Sequence, residues 1–324
     1  MRQRLHPRTG LRLSELCFGA GPIGNLYSVV SDDDARAAID AAWNAGVRVF
    51  DTAPHYGLGL SERRLGRALA GRPRQEYVLS TKVGRLLVPD PSGAGRRDDQ
   101  GFDVPADHRR VWDFSRRGVL ASLEASLERL GVDRVDLVLV HDPDEHEEAA
   151  RREAVPALVE LREQGVIRAV GVGMNQAEML TRFVRETDVD VVLVAGRWTL
   201  LDRRAGESLL PPALERGVGV IAAAPFNSGL LATTTPGESA TFDYGPVPAD
   251  LLAAARRLAS LTAEAGVPLP AAALQFPLRH PAVLGVATGL RSAEEVRQAV
   301  ANLDVPVPET LWAELDSPEV AAWR

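Results

Sequence analysis

The segment "RVDLVLVHDPDEHEEAARREAVPALVELREQGVIRAVGVG", residues 134–173, reads as strand, helix and strand in one pass. Its opening run, "RVDLVLVH" (134–141), is largely β-branched and apolar on successive positions before it stops at His141. "VPALVELREQG" has a helical pattern closed by Gly165, and "IRAVGVG" (167–173) returns to apolar strand character. Strands that are apolar on consecutive residues, not alternate ones, are parallel strands covered on both faces.

The same unit recurs along the chain. Further runs are "SELCFGA" (14–20), "VRVFD" (47–51), "YVLSTK" (77–82), "DVVLVAG" (190–196), "VGVIAAA" (218–224) and "AVLGVATG" (282–289). The helices between them start and stop recognisably. Ser31 opens "SDDDARAAIDAAWNAG", which ends at Gly46, and Ser115 opens a helix that ends at Gly131. "PPALERG" stops at Gly217. Serine oxygens accept from exposed N–H groups at helix starts, and glycine supplies the left-handed turn at helix ends. Eight such βα units predict a (β/α)₈ barrel forming a single domain over 1–324. A doubly wound sheet is the alternative, but no G-x-G-x-x-G follows the first strand. Two segments fall outside the alternation. "RTGLRLS" predicts a short N-terminal hairpin, and residues 83–114 form a long polar insertion after the third strand. Loops of this length are functional or disordered. Phe102, Trp112 and Phe114 within it favour a lid packed over substrate.

Composition narrows the function classes. A formal charge of -7 and a pI near 5.5 leave no basic footprint for nucleic acid. The single cysteine, Cys17, lies in an apolar run and reads as buried ballast. The N-terminus has no apolar stretch behind its charges, and no apolar run is long enough to span a membrane, so a cytoplasmic protein is expected.

In a barrel of this kind chemistry sits at the C-terminal ends of the strands. Those tips carry Asp51, Lys82 and His141, with Asn175 just after the fifth strand and Tyr56 in the loop after Asp51. Each has a structural reading: Asp51 as a turn cap, Lys82 as a rim ion pair, His141 as a core histidine, Asn175 as the helix N-cap of "NQAE". Together they form an acid–base device. Tyrosine titrates near 10, a neighbouring ammonium lowers that value, and an aspartate holds the lysine charged and in place. A histidine can hydrogen-bond and orient the reacting oxygen.

An Asp–Tyr–Lys–His set in this order on a barrel resembles the aldo-keto reductases. The motifs "FDTAPHYGLGLSERRLGRAL", "LSTKVG", "DLVLVHDPD", "GVIAAAPFNSGLLA" and "TGLRSAEEV" carry the resemblance across essentially the whole chain. It implies Tyr56 as general acid/base, Lys82 and Asp51 as its tuning pair, and His141 as orienting group. It also implies a nicotinamide cofactor over the strand tips, held by Gly19, Ala20, Asn175, Phe226, Asn227, Ser228, Gly229, Leu230, Gly289, Arg291 and Glu295. The chain departs from the family pattern at Met174, Ala195 and Ala223, where serine, glutamine and an aromatic are usual, so Trp198 or Phe226 is expected to help position the nicotinamide. These departures, with "FGAGPIGNLY", resemble the aldose 1-dehydrogenase subgroup acting on L-fucose, D-threo-aldoses or L-galactose, with pyridoxal 4-dehydrogenase a close relative. Tyr27 and Trp198 are the expected substrate contacts.

NADPH-using members set a lysine and an arginine around the 2′-phosphate, where this chain has Gly289 and Glu295. A carboxylate repels phosphate and accepts from a ribose 2′-OH, so NAD is favoured, with NADP possible through Arg291. Ser292 and Glu295 also make a capping box. The reading is therefore an NAD(P)-dependent aldose 1-dehydrogenase, monomeric or homodimeric, acting on a small sugar or aldehyde. Its rivals are a broad NADPH-dependent carbonyl reductase, a metal-dependent hydrolase built on His141, Asp142 and His146, and a non-catalytic nicotinamide-binding barrel.

Overall fold

The computed structural model describes residues 1–243 and 245–321. Eight parallel strands close into a barrel in chain order: β1 (Leu16–Gly19), β2 (Val49–Asp51), β3 (Val78–Val83), β4 (Leu137–His141), β5 (Ala169–Met174), β6 (Val191–Ala195), β7 (Gly219–Ala223) and β8 (Val283–Gly289). β8 pairs back to β1, with Val286 opposite Leu16. Each apolar run supplies one strand, and closure removes the edges that a doubly wound sheet would keep.

The consecutive apolar residues have two destinations. Cys17, Val49, Val78, Leu137, Leu139, Val191, Leu193 and Ile221 fill the barrel interior. Their neighbours Phe18, Phe50, Leu79, Val138, Val140, Val192 and Val220 face the surrounding helices. Both faces are therefore largely dry, which is why most of these strands are apolar on consecutive residues.

The helical layer includes α1 (Asp32–Asn44), α2 (Leu60–Leu69), α3 (Arg116–Leu130), α4 (Val155–Glu163), α5 (Ala177–Glu186) and α6 (Leu210–Glu215). Ser31 accepts from the Asp34 N–H and Ser115 from the Gly118 N–H, as serine caps should. The segment between β7 and β8 holds α7 (Ala249–Glu264) and α8 (Leu269–Gln275), followed after β8 by α9 (Ala293–Asp304) and α10 (Glu309–Leu315). Leu252, Leu258, Leu269, Phe276, Leu311, Trp312 and Leu315 make a second core there, outside the barrel.

The N-terminal hairpin starts earlier than "RTGLRLS": Gln3–Leu5 pairs antiparallel with Arg12–Ser14, and residues 6–11 form the turn. His6, fully buried, holds this turn to the barrel through Nε2 and the Asp190 carbonyl at 2.7 Å. Leu11 and Leu13 enter the interior cluster and plug the end of the barrel away from the strand tips.

The 83–114 insertion is an antiparallel ribbon, Arg85–Pro89 with His108–Trp112, carrying a folded-back tip. Gly84 starts it with φ +104, and a Cβ there would sit 2.2 Å from the Phe114 ring, so neither the turn nor the contact tolerates a side chain. Phe102 in the tip is buried and bridges to Leu26, which places the ribbon over the strand tips as a lid. An ion pair of Arg110 with Asp98 at 2.6 Å ties the tip to the ribbon. Trp112 does not pack inward with Phe102 and Phe114. It is 43% exposed and lies beside the Arg85 guanidinium.

Candidate active site

Asp51 ends β2 directly opposite Ser80 of β3, and Lys82 stands two residues further along the same face. Lys82 Nζ donates to Asp51 Oδ2 at 2.5 Å, to the Thr52 carbonyl at 2.9 Å and to the Tyr56 hydroxyl at 3.1 Å. The Ser80 hydroxyl donates to the other Asp51 oxygen at 2.8 Å. The ammonium therefore spends its three protons on three acceptors, and its orientation is set. The loop after β2 brings Tyr56 back through turns, with the Tyr56 N–H bonded to the Ala53 carbonyl at 3.1 Å. The His141 ring stands perpendicular to the Tyr56 ring with centroids 5.8 Å apart. Four residues distant in sequence thus meet at one point.

Burial shifts their acidities. For Lys82 burial favours the neutral amine, but Asp51 and then Tyr56 outweigh it, and the group is held charged above the ordinary lysine range. For Tyr56 burial raises the value and Lys82 offsets only part of the rise, so the phenol lies above 10 on balance. The lowered tyrosine pKa expected from lysine alone is thus reversed in net sign, because desolvation of the phenolate exceeds the attraction. His141 is pushed well below its ordinary value by burial, then by Arg85 and Lys82, and is a neutral imidazole. His55, beside Phe102 under the lid, is lowered to about 2 by burial, then by Arg85 and Arg110.

The set lines a cavity of ≈ 680 Å³ together with His55, Arg85, Phe102, Asp142, Asp144 and Met174. A second cavity of ≈ 530 Å³ adjoins it, walled by Phe226, Asn227, Ser228, Gly229, Arg291 and Glu295. Pro22, Leu26, Tyr27, Asn175, Ala195, Ala224 and Gly289 line both, so the two make one groove across the strand tips. One face of α9 forms its outer wall: Glu295, Gln298, Ala299 and Asn302 follow at helical spacing. Asn227, Ser228 and Gly229 hold successive left-handed conformations, with φ 45, 58 and 95. Asn227 Oδ1 is buried there without a hydrogen-bond partner. An unsatisfied amide oxygen, a polar helix face and a long groove fit an extended, hydrogen-bonding cofactor.

Other expected residues lie elsewhere. Trp198 lines neither cavity; its ring packs on Phe276 at 4.9 Å and its N–H donates to the Pro277 carbonyl. Ala20 and Leu230 are fully buried beneath the groove, while Gly19 lines the catalytic cavity. Asn175 does not cap a helix: the N-cap of α5 is Gln176, and Asn175 lines both cavities. Glu295 does serve its helix start. Its N–H donates to Ser292 Oγ, and its carboxylate accepts from the Arg291 N–H at 2.9 Å while pairing with the Arg291 guanidinium at 3.2 Å. His146 turns to Phe114, and among the described residues no three His, Cys, Asp or Glu side chains are grouped to hold a metal ion. Nor, among them, is any helix long and apolar enough to cross a membrane. His55, Arg85 and Asp144 went unread as site residues, and Asp142 was read only as a ligand in the metal-dependent alternative. Asp142 and Asp144 lay within reach in "HDPDEH", immediately beyond a strand tip.

Residues 15–319 match the model of the Aldo/keto reductase family, and the chain belongs to it. It is 46% identical over 309 residues to a D-threo-aldose 1-dehydrogenase of a Pseudomonas species, covering 94% of each chain. It is 40% identical to a pyridoxal 4-dehydrogenase of Microbacterium luteolum, over 96% of this chain and 95% of that one. Among solved structures, the holo form of an aldo-keto reductase from Bacillus halodurans superposes with a TM-score of 0.75 at 27% identity, covering 100% of this chain and 97% of the other. The protein is an NAD(P)-dependent oxidoreductase.

Proposed function

We propose that the chain oxidises a free aldose at C1, using NAD, to the aldonolactone. The observation that carries this reading is the Lys82 ammonium fixed between Asp51 and the Tyr56 hydroxyl, on the wall of a cavity rimmed with further polar side chains. The similarity to a D-threo-aldose 1-dehydrogenase supports the substrate class. The sugar enters as a cyclic hemiacetal with its anomeric hydroxyl toward Tyr56. Bound nicotinamide supplies the hydride acceptor for the hydrogen on C1. Tyr56 takes the hydroxyl proton, and Lys82 stabilises the phenolate that must first form. Neutral His141 donates a hydrogen bond to the same oxygen and fixes its direction. Asn175, Asn227, Ser228, Arg291 and Glu295 are the residues that would hold the cofactor.

NAD is the favoured carrier. Arg291 is the cation among the described residues lining that cavity, and Glu295 neutralises it. A 2′-phosphate needs an uncommitted cation, whereas a carboxylate suits a free 2′-hydroxyl. A second reading has one observation in its favour: Tyr56 titrates above 10, so at neutral pH it is a proton donor, suited to aldehyde reduction.

The test is NADH formation from a panel of aldoses with NAD and NADP offered separately. Tyr56→Phe should lower turnover about 100-fold or more while cofactor still binds. Full activity in that variant, or aldehyde reduction with no aldose oxidised, would overturn the assignment.

A further inference from the structure

The catalytic cavity holds polar groups that the proton transfer does not use. Arg85 follows the Gly84 turn at the end of β3 and donates from Nη2 to Asp142 Oδ2 at 2.5 Å. Asp142 comes directly after His141 in a left-handed conformation, φ 42, which a non-glycine residue adopts at a cost and which marks functional sites. The same Asp142 oxygen lies 3.4 Å from His141 Nε2. The pair is therefore continuous with the reacting end of the cavity. Arg85 Nε and His55 Nδ1 are each buried without a hydrogen-bond partner, and both residues line this cavity. Buried polar atoms left unpaired ask for a ligand that pairs them.

The charges say what kind. Lys82 is committed to Asp51, Arg85 to Asp142, and Asp144 adds a further carboxylate to the lining. No uncommitted cation is present among the described residues of the cavity wall, so a phosphate or carboxylate on the substrate would enter against negative charge. An uncharged polyol meets donors on Arg85 and His55 and acceptors on Asp142. A guanidinium–carboxylate pair matches two adjacent hydroxyls, one accepting and one donating.

We infer that Arg85 and Asp142, with His55 beside them, form the specificity clamp of this site. They grip the hydroxyl next to the reacting carbon and its neighbour, and restrict turnover to uncharged hydroxylated substrates. This rests on the aldose reading for the direction of reaction, but the clamp itself concerns which carbon neighbours are hydroxylated.

Steady-state kinetics would test it on wild type, Arg85→Met and Asp142→Asn, each with an aldose and its 2-deoxy analogue. Wild type should prefer the full aldose by about 10- to 100-fold in kcat/KM, the range of a charged hydrogen bond to a hydroxyl. Each variant should lose most of that preference, chiefly through KM, with a much smaller loss on the analogue. Activity on the analogue also reports that the variant is folded. A 6-phosphorylated aldose should be turned over at least about 10-fold less well than the free sugar. If wild type oxidises no aldose, the aldose reading fails but the clamp is still tested by reduction of glyceraldehyde against propanal with the same variants. Equal losses on hydroxylated and unhydroxylated substrates, or full activity on the phosphorylated sugar, would overturn the clamp.

Discussion

The Asp51 carboxylate meets the Lys82 ammonium at 2.5 Å on neighbouring strands, both side chains almost wholly withdrawn from water. A buried pair of this kind is costly to break from one side, because the remaining charge has neither partner nor solvent. Lys82→Met should therefore lose about 3–5 kcal/mol of stability as well as most activity. The double variant Asp51→Asn/Lys82→Met should regain much of the stability and none of the activity. Thermal denaturation beside turnover separates the two effects. A double variant as unstable as the single one would mean that Asp51 does not depend on Lys82.

Oxidation should accelerate with pH. In the proposed oxidation Tyr56 accepts the substrate proton and must first be deprotonated, and burial raises that ionisation above the ordinary tyrosine value. Below that point each pH unit raises the phenolate fraction about tenfold, so the logarithm of kcat/KM should climb with a slope of about one. The Lys82 ammonium is the attraction that favours the phenolate, so the climb in Lys82→Met should move to still higher pH. A flat profile between neutral and alkaline pH would show that another base is at work.

His55 should make the fold acid-sensitive. Its folded value, about 2, lies below the 6.5 of an unfolded histidine, so between these limits the unfolded chain binds the extra proton. Stability is full above 6.5 and falls as pH drops through that window, by at most about 1.4 kcal/mol per pH unit for this group. His141 acts in the same direction. His55→Gln should flatten the decline of Tm between neutral pH and about pH 5. An unchanged slope would mean that His141 and the carboxylates set it.

Glu295 has two tasks that a conservative change can part. Glu295→Gln keeps an acceptor for the Arg291 N–H but releases the Arg291 guanidinium from its charged partner. The expected result is a loss of under about 1 kcal/mol in stability and about a tenfold gain in NADP use relative to NAD. Cofactor titration of the variant checks it. An unaltered cofactor ratio would leave Glu295 as a helix cap only.

The barrel was legible because both faces of each strand are dry over most of its length, which writes eight apolar runs into the chain in order. The four residues that meet at the strand tips were legible because three of them end such runs. Trp198 was misplaced because spacing from a strand tip does not tell which way a loop turns, and here a second core captures the ring. That core was itself unread. The helix Ala249–Glu264 is alanine-rich on all sides, so its buried stripe at Leu252, Ala255 and Leu258 has little contrast with the rest. Arg85 and Asp142 were hidden differently. A charged residue in a polar loop looks solvated until the Gly84 turn and the left-handed Asp142 backbone bring the two side chains together over the cavity.

Cys17 has a consequence of its own. It lies inside the barrel with no exposure, and burial, reinforced by Asp51, pushes its thiol far above the usual range. A thiol that neither ionises nor meets solvent does not react with alkylating reagents, peroxide or disulfides. As the chain's one cysteine, it leaves no other handle. The enzyme's activity is accordingly deaf to the thiol balance around it.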